Sequence, residues 1–384
     1  MPHLSAPIVL LSTALILPIC SATRTVTLSN LKLPTSSTGG PIITGEASVL
    51  RVGRAYFFYF NDWGSCPGVN CCDSPGGCAS CCFAHPPHPY LPGCGGASNG
   101  SNPYGLFHVV HGYRTLDFET WDDLGVVFRY RYGQGILFRP HVVYSGATQR
   151  FVMWFEDRSC EARHCGSYYT ASSTQPEGPF GDVQPVKLPG DGSVGDFDVF
   201  VDDDGTGYHV RTGFDIVRLT SELTAPEALV AHGIKAPRAS EAPILFRRLD
   251  TYYLLVGTGC CACLGGSNLY VFSSSAGVAG PWALLGDVGA AKPEAEWNPH
   301  RPDNFVTRAQ GSAVFVVDGP TCEAANASFV FVGNAWNSGL TSAPPSARNH
   351  DLLYFAVLDF DETGRVRHLQ RQEAATFEIG TCSR

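Results

Sequence analysis

The chain has 384 residues, 44% of them hydrophobic, and a formal net charge of −9. A chain of that size buries a large core, and an acidic balance with no run of Lys or Arg argues against nucleic-acid or anionic-membrane partners. With 42 Gly, 27 Pro and few long helical periodicities, it reads as short strands joined by many turns.

In chain order, an apolar run from Ile8 to Leu17 leads to Cys20-Ser21-Ala22, the pattern of a signal peptide over residues 1–22. The run is too short to span a membrane, so a secreted protein starting near Thr23 is expected. Removing Cys20 from the 15 cysteines leaves an even number. Seven of them, from Cys66 to Cys94, crowd into a segment over 64–103. In a secreted chain adjacent Cys-Cys pairs point to disulfides, although Cys78-Ala79-Ser80-Cys81 also has a zinc-type spacing. Asn99-Gly100-Ser101 and Asn326-Ala327-Ser328 are glycosylation acceptors suited to surface loops.

From Ala47 onward one plan repeats, a short apolar run followed by a turn and a second apolar or aromatic run. Ala47–Leu50 turns near Gly53 into Ala55–Phe60, and Pro140–Tyr144 turns into Phe151–Phe155. Asp198–Val201 turns through Asp202-Asp203-Asp204-Gly205 into Gly207–Val210. Pro243–Phe246 leads to Tyr252–Val256, and Ala313–Val316 leads to Phe329–Gly333. The glycines in these turns supply the positive φ that hairpins need. A longer repeat pairs Gly178-Pro179-Phe180 with Gly280-Pro281-Trp282, a spacing of two such units. Five sheets of about four strands predict an all-β, five-bladed β-propeller occupying 23–384 as one domain. The Cys-rich segment would be a disulfide-stapled insertion in its first sheet. A β-sandwich or two β domains is the competing architecture.

Glu241 stands out because Ala242-Pro243 follows it and a strand follows them. Proline disfavours helical geometry in the residue before it, so Ala242 is expected to be extended and Glu241 to sit at a strand's start.

Arg139-Pro140-His141-Val142-Val143-Tyr144, the acidic run Asp196 to Gly205, Glu241-Ala242-Pro243 and Ala309-Gln310 together resemble glycoside hydrolase family 43, in particular its exo-β-1,3-galactanases. The resemblance covers most of residues 42–365 and implies the same propeller. It implies that Glu241 is the general acid that protonates the leaving oxygen, and that Asp196 orients this acid. It implies that Gln310 holds the attacking water on the opposite face of the sugar. Arg139, Asp198 and Trp336 would bind substrate. One departure is Phe138, where this branch commonly has Glu before Arg-Pro, and a second is Asn61-Asp62 at an acidic position of the first blade. The implied activity is inverting cleavage of β-1,3-linked galactan in arabinogalactan-type glycans, by a monomer without cofactor or metal. A non-catalytic carbohydrate-binding propeller and an arabinosidase or xylosidase are the alternatives.

Simpler roles are also open to these residues. Asp202, Asp203 and Asp204 suit a polar turn, with a calcium loop as the alternative. Asp198 could stand in for Asp196, since alternation sends both to one face of a strand. Gln310 could be a polar residue between loop and strand. Trp63, Trp154 and Tyr169 suit core packing. His141 and His350 have no partner His at metal-ligand spacing. No Ser nucleophile elbow, phosphate loop or dinucleotide fingerprint is present.

Overall fold

The computed structural model describes residues 20–62, 109–130, 137–161, 164–190, 194–258, 267–291, 305–307, 309–335, 338 and 351–382. The first strand, β1 (Cys20–Ser29), pairs antiparallel with the last, β21 (Ala374–Cys382). A signal cleavage after Ala22 would leave the ladder intact from Thr23, which pairs with Gly380.

Between these strands lie five antiparallel sheets in sequence order. Blade 1 holds β2 (Ala47–Val52), β3 (Ala55–Asp62), β4 (Val109–Thr115) and β5 (Asp122–Arg129). Blade 2 holds β6 (Leu137–Ser145), β7 (Arg150–Glu161), β8 (His164–Ser173) and β9 (Gly181–Val186). Blade 3 follows with β10 (Phe197–Val201), β11 (Gly207–Arg211), β12 (Ile216–Leu219) and β13 (Pro226–Ala231). Blade 4 contains β14 (Ser240–Arg248), β15 (Thr251–Thr258), β16 (Tyr270–Ser274) and β17 (Ala283–Asp287). Among the described residues blade 5 has three strands, β18 (Gln310–Val317), β19 (Ser328–Ala335) and β20 (Leu352–Leu358).

The sequence pattern explains the closure. The run Tyr56–Phe60 is buried throughout rather than alternating, because both faces of a blade are covered. Phe57 and Tyr59 pack against blade 2 residues such as Val142 and Met153, while Phe58 and Phe60 pack against Phe315 and Val332 of blade 5. The same division recurs around the ring and gives five apolar layers, one between each neighbouring pair of blades. A fully buried Val or Phe contributes about 1.5–3 kcal/mol. These layers therefore outweigh exposed rim pairs such as Arg218–Glu227, a class worth about 0–1 kcal/mol.

The β1–β21 ribbon ties the ends of the chain together beside blade 5. The Asn30 side chain donates to Phe355 O at 3.1 Å and accepts from Phe355 N at 2.7 Å, standing in for a missing backbone partner. Val26, Leu28, Ala375 and Phe377 of the ribbon join the layer between blades 1 and 5.

The five hairpins expected from the sequence form the first two strands of the five blades, and the sandwich alternative is excluded. The Gly-Pro-aromatic repeat forms the turns before β9 and β17 in blades 2 and 4, each with a cis Gly-Pro bond. The Asp202–Gly205 segment is a turn whose Asp202 carboxylate binds Arg247 and Tyr252 of blade 4. Trp154 is core, as its type suggests, and donates to Leu223 O at 2.7 Å. The cysteines from Cys66 to Cys94 and the acceptor Asn99 lie outside the described residues, in the connection between β3 and β4, so the stapled insertion has no support from the fold. Cys322 is disulfide-bonded. Asn326 is exposed in a short 3₁₀ turn between β18 and β19.

Candidate active site

The inner strands β2, β6, β10, β14 and β18 surround a channel of about 310 Å³, lined by residues including His141, Asp198, Leu245 and Ala313. At one end of it the starts of these five strands converge, and each blade contributes one member of a single polar network.

Blade 2 supplies Arg139, which is 1% exposed. Its Nη2 donates to Asp196 Oδ2 of blade 3 at 3.0 Å, and its Nη1 donates to Gly311 O of blade 5 at 3.1 Å. Glu46, just before β2 in blade 1, lies 3.2 Å from Arg139 Nε through Oε1 and accepts the Arg139 backbone N–H through Oε2, also at 3.2 Å. Gln310 of blade 5 donates through Nε2 to Asp196 Oδ2 at 3.2 Å and to Glu241 Oε1 of blade 4 at 2.8 Å. The network therefore runs Glu46–Arg139–Asp196–Gln310–Glu241.

Bulges aim these side chains. Phe138 pairs with Glu156 and His141 with Trp154, so β6 carries one residue more than its partner. β14 does the same between Glu241 and Ile244, and β18 between Gly311 and Ala313. Bulges disrupt the ladder locally and are common beside active sites. In blades 2 and 4 the extra residue precedes proline and is left-handed, with φ 49° at Arg139 and 53° at Ala242. The expected extended geometry of Ala242 is thus corrected. The following proline has no N–H to lose, which makes a bulge a tolerable place for it. Glu241 does sit at the strand's start, paired with Gly257.

Asp196 is held from behind. Tyr168 Oη donates to Gly195 O at 2.7 Å and accepts Gly195 N–H at 3.0 Å, while Thr212 N donates to Asp196 O at 2.7 Å. Asp198, on the same strand face, binds His141 Nδ1 at 3.0 Å and accepts Leu245 N–H at 2.7 Å. It links blades 2, 3 and 4 along the channel. Behind it, fully buried His209 stacks on Phe197, and burial pushes its imidazole well below the usual range.

Electrostatically the site holds one guanidinium among several carboxyls. Burial works against the Arg139 charge, but Asp196, Glu46, Glu241 and Glu156 overcome it and raise its pKa. Burial pushes the Glu46 carboxyl up to about 8, with Arg139 opposing and Asp196 and Glu156 reinforcing.

The family model of glycosyl hydrolases family 43 matches residues 107–320, more than half of the chain. The chain belongs to that family. It is a glycosidase of family 43, and the matched span contains Arg139, Asp196, Glu241 and Gln310. Glu46 falls outside it. Solved structures with the same fold include an exo-β-1,3-galactanase from Clostridium thermocellum, 18% identical with a TM-score of 0.66, covering 91% of this chain and 68% of that one. Another is an exo-β-1,3-galactanase from Phanerochaete chrysosporium, crystallised with β-1,3-galactotriose, at 18% identity and a TM-score of 0.63, covering 91% and 67%. No curated protein sequence matches the chain.

Of the residues singled out from the sequence, Glu241, Asp196, Gln310 and Arg139 come together in one network. Asp198 lies further along the channel, and Trp336 and His350 lie outside the described residues. Glu46 and the buried Glu156 were missed. A usable signal for Glu46 exists, because it precedes its inner strand as Asp196 precedes β10.

Phe138 is buried opposite Glu156, so this ring position in blade 2 is apolar. In blades 1 and 5 the second strands place Asn61 and Asn334 close by. Both are fully buried, and Asn334 pairs with Gln310.

Proposed function

We propose that this family 43 enzyme is secreted and removes galactose from β-1,3-linked galactan with inversion at the anomeric carbon. Glu241 gives its proton to the leaving glycosidic oxygen. Gln310 orients a water against the anomeric carbon from the other face of the ring, the arrangement an inverting glycosidase needs. Asp196 holds Gln310 and stands between it and Arg139. The single observation that supports this reading is that Asp196, Gln310 and Glu241 meet in one network at the strand starts, and a sugar ring entering between acid and water has to replace the 2.8 Å hydrogen bond from Gln310 to Glu241.

Arg139 is too deeply buried to meet a sugar, and we place it behind Asp196 as an anchor. Trp336 remains our candidate for the aromatic face on which galactose stacks, and Asp198 supports the floor of the site from the channel. Secretion is inferred from the apolar run before Cys20 and from an exposed Asn326 in its acceptor triplet.

A substrate panel tests the assignment. The protein incubated with β-1,3-galactan, arabinan and xylan is expected to release free galactose from the first and nothing from the others. Arabinose or xylose as the dominant product would transfer it to the arabinosidase or xylosidase side of the family.

A further inference from the structure

We propose that Glu46 is a positioning residue of the reaction, acting through Arg139 on Asp196 and so on the Gln310–Glu241 pair. The inference rests on the reading of Glu241 as the acid.

The argument begins with the bulge in β6. Inserting a residue takes the Arg139 N–H out of the ladder with β7, and a buried N–H without a partner costs about 1–3 kcal/mol. Glu46 Oε2 accepts that N–H at 3.2 Å. The same carboxyl lies 3.2 Å from Arg139 Nε through Oε1, so one side chain from blade 1 holds the backbone of Arg139 by a hydrogen bond and faces its head group. Glu46 can reach this position because Gly45 precedes it. A Cβ at Gly45 would lie 2.6 Å from Asn61 O, so any larger residue would push the segment away.

Arg139 keeps a left-handed, pre-proline geometry that a non-glycine residue adopts only at a cost of about 1–3 kcal/mol, and the Glu46 carboxyl on its N–H helps to offset that cost. Once fixed, its Nη2 sets the position of Asp196 Oδ2, which also receives Gln310 Nε2. A displacement at Glu46 is therefore passed along hydrogen bonds to the group that faces the proton donor.

The charges around Glu46 give this role a pH signature. Facing it are Arg139 from blade 2, Asp196 from blade 3 and Glu156 on β7, with Glu241 of blade 4 at the far side of Arg139. From the blade 5 side, the Asp351 backbone carbonyl accepts from Thr44 at 2.6 Å, two residues before Glu46. With its carboxyl raised to about 8, Glu46 is uncharged at pH 6 and leaves the guanidinium to Asp196. Above that value it gains a charge and competes with Asp196 for Arg139.

Two variants and the pH dependence of kcat on β-1,3-galactan test the proposal. Glu46→Ala removes the acceptor and is expected to lower kcat by about 10–100-fold, with KM changed less than ~3-fold. Glu46→Gln keeps an acceptor and mimics the uncharged form, so at pH 6 it is expected to stay within ~3-fold of wild type. It should also lose the ionisation near 8, so that its alkaline limb lies at higher pH than that of the wild type. Thermal melting checks that each variant is folded. Wild-type kcat in both variants overturns the proposal. So does an unshifted alkaline limb in Glu46→Gln, or a fall in kcat that only follows the melting temperature. If Glu241→Gln proves fully active, the reading of the acid fails instead, whatever Glu46 does.

Discussion

Glu241→Gln is expected to lower kcat on β-1,3-galactan by about 10²–10⁴-fold while leaving the melting temperature unchanged. The amide has nearly the shape of the acid, and its oxygen can still accept the Gln310 N–H that Glu241 Oε1 accepts at 2.8 Å. The bulge and the pairing with Gly257 involve backbone, so the local fold has no reason to change. What is lost is the proton for the leaving oxygen. Steady-state kinetics on wild type and variant measure this loss. Undiminished hydrolysis would remove Glu241 from the role assigned to it.

Arg139→Met is expected to have the largest effect on stability, about 3–5 kcal/mol, because it removes one side of a buried ion pair. The guanidinium contacts Glu46, Asp196 and the Gly311 carbonyl from a position 1% exposed, and no other cation lies in the described network. Without it, the Asp196 carboxylate loses its counter-charge in a low-dielectric interior, and Glu46, uncharged below about 8, cannot supply one. Arg139→Lys should recover only part of the loss, since an ammonium cannot reproduce the fork that reaches three blades at once. Urea unfolding of the three proteins gives the comparison. A Met variant with the wild-type midpoint would show that the network does not hold the ring of strands together.

The five hairpins were legible in the sequence because each pairs two short apolar runs across a Gly-containing turn, a local signal. The continuous aromatic run Tyr56–Phe60 is a two-sided strand, and its burial on both faces is what a blade between two neighbours requires. Glu241 was legible for the same reason, since Ala242-Pro243 and the strand after it mark a fixed position. The backbone of Ala242 was not, because the left-handed bulge is imposed by the ladder between β14 and β15 and overrides the local preference of a pre-proline residue.

Glu46 was hidden for a different reason. Its partner Arg139 is far away in sequence, and only the packing of blade 1 against blade 2 brings the two together. Phe138 reads in the sequence as a missing carboxylate. In the structure it is a buried ring facing Glu156 across the ladder, so a Glu placed there would set two carboxyls opposite each other. Like charges directly opposite in a sheet destabilise it. The carboxyls that crowd Arg139 come instead from Glu46, Asp196 and Glu156, on three different strands or strand starts.

The most direct test of the central claim is the configuration of the first product, followed by NMR as the protein acts on β-1,3-galactan. Inversion at a β-linkage predicts that α-galactose appears first and then mutarotates. Early β-galactose would mean retention, and with it a covalent step in which a water held by Gln310 opposite Glu241 has no place.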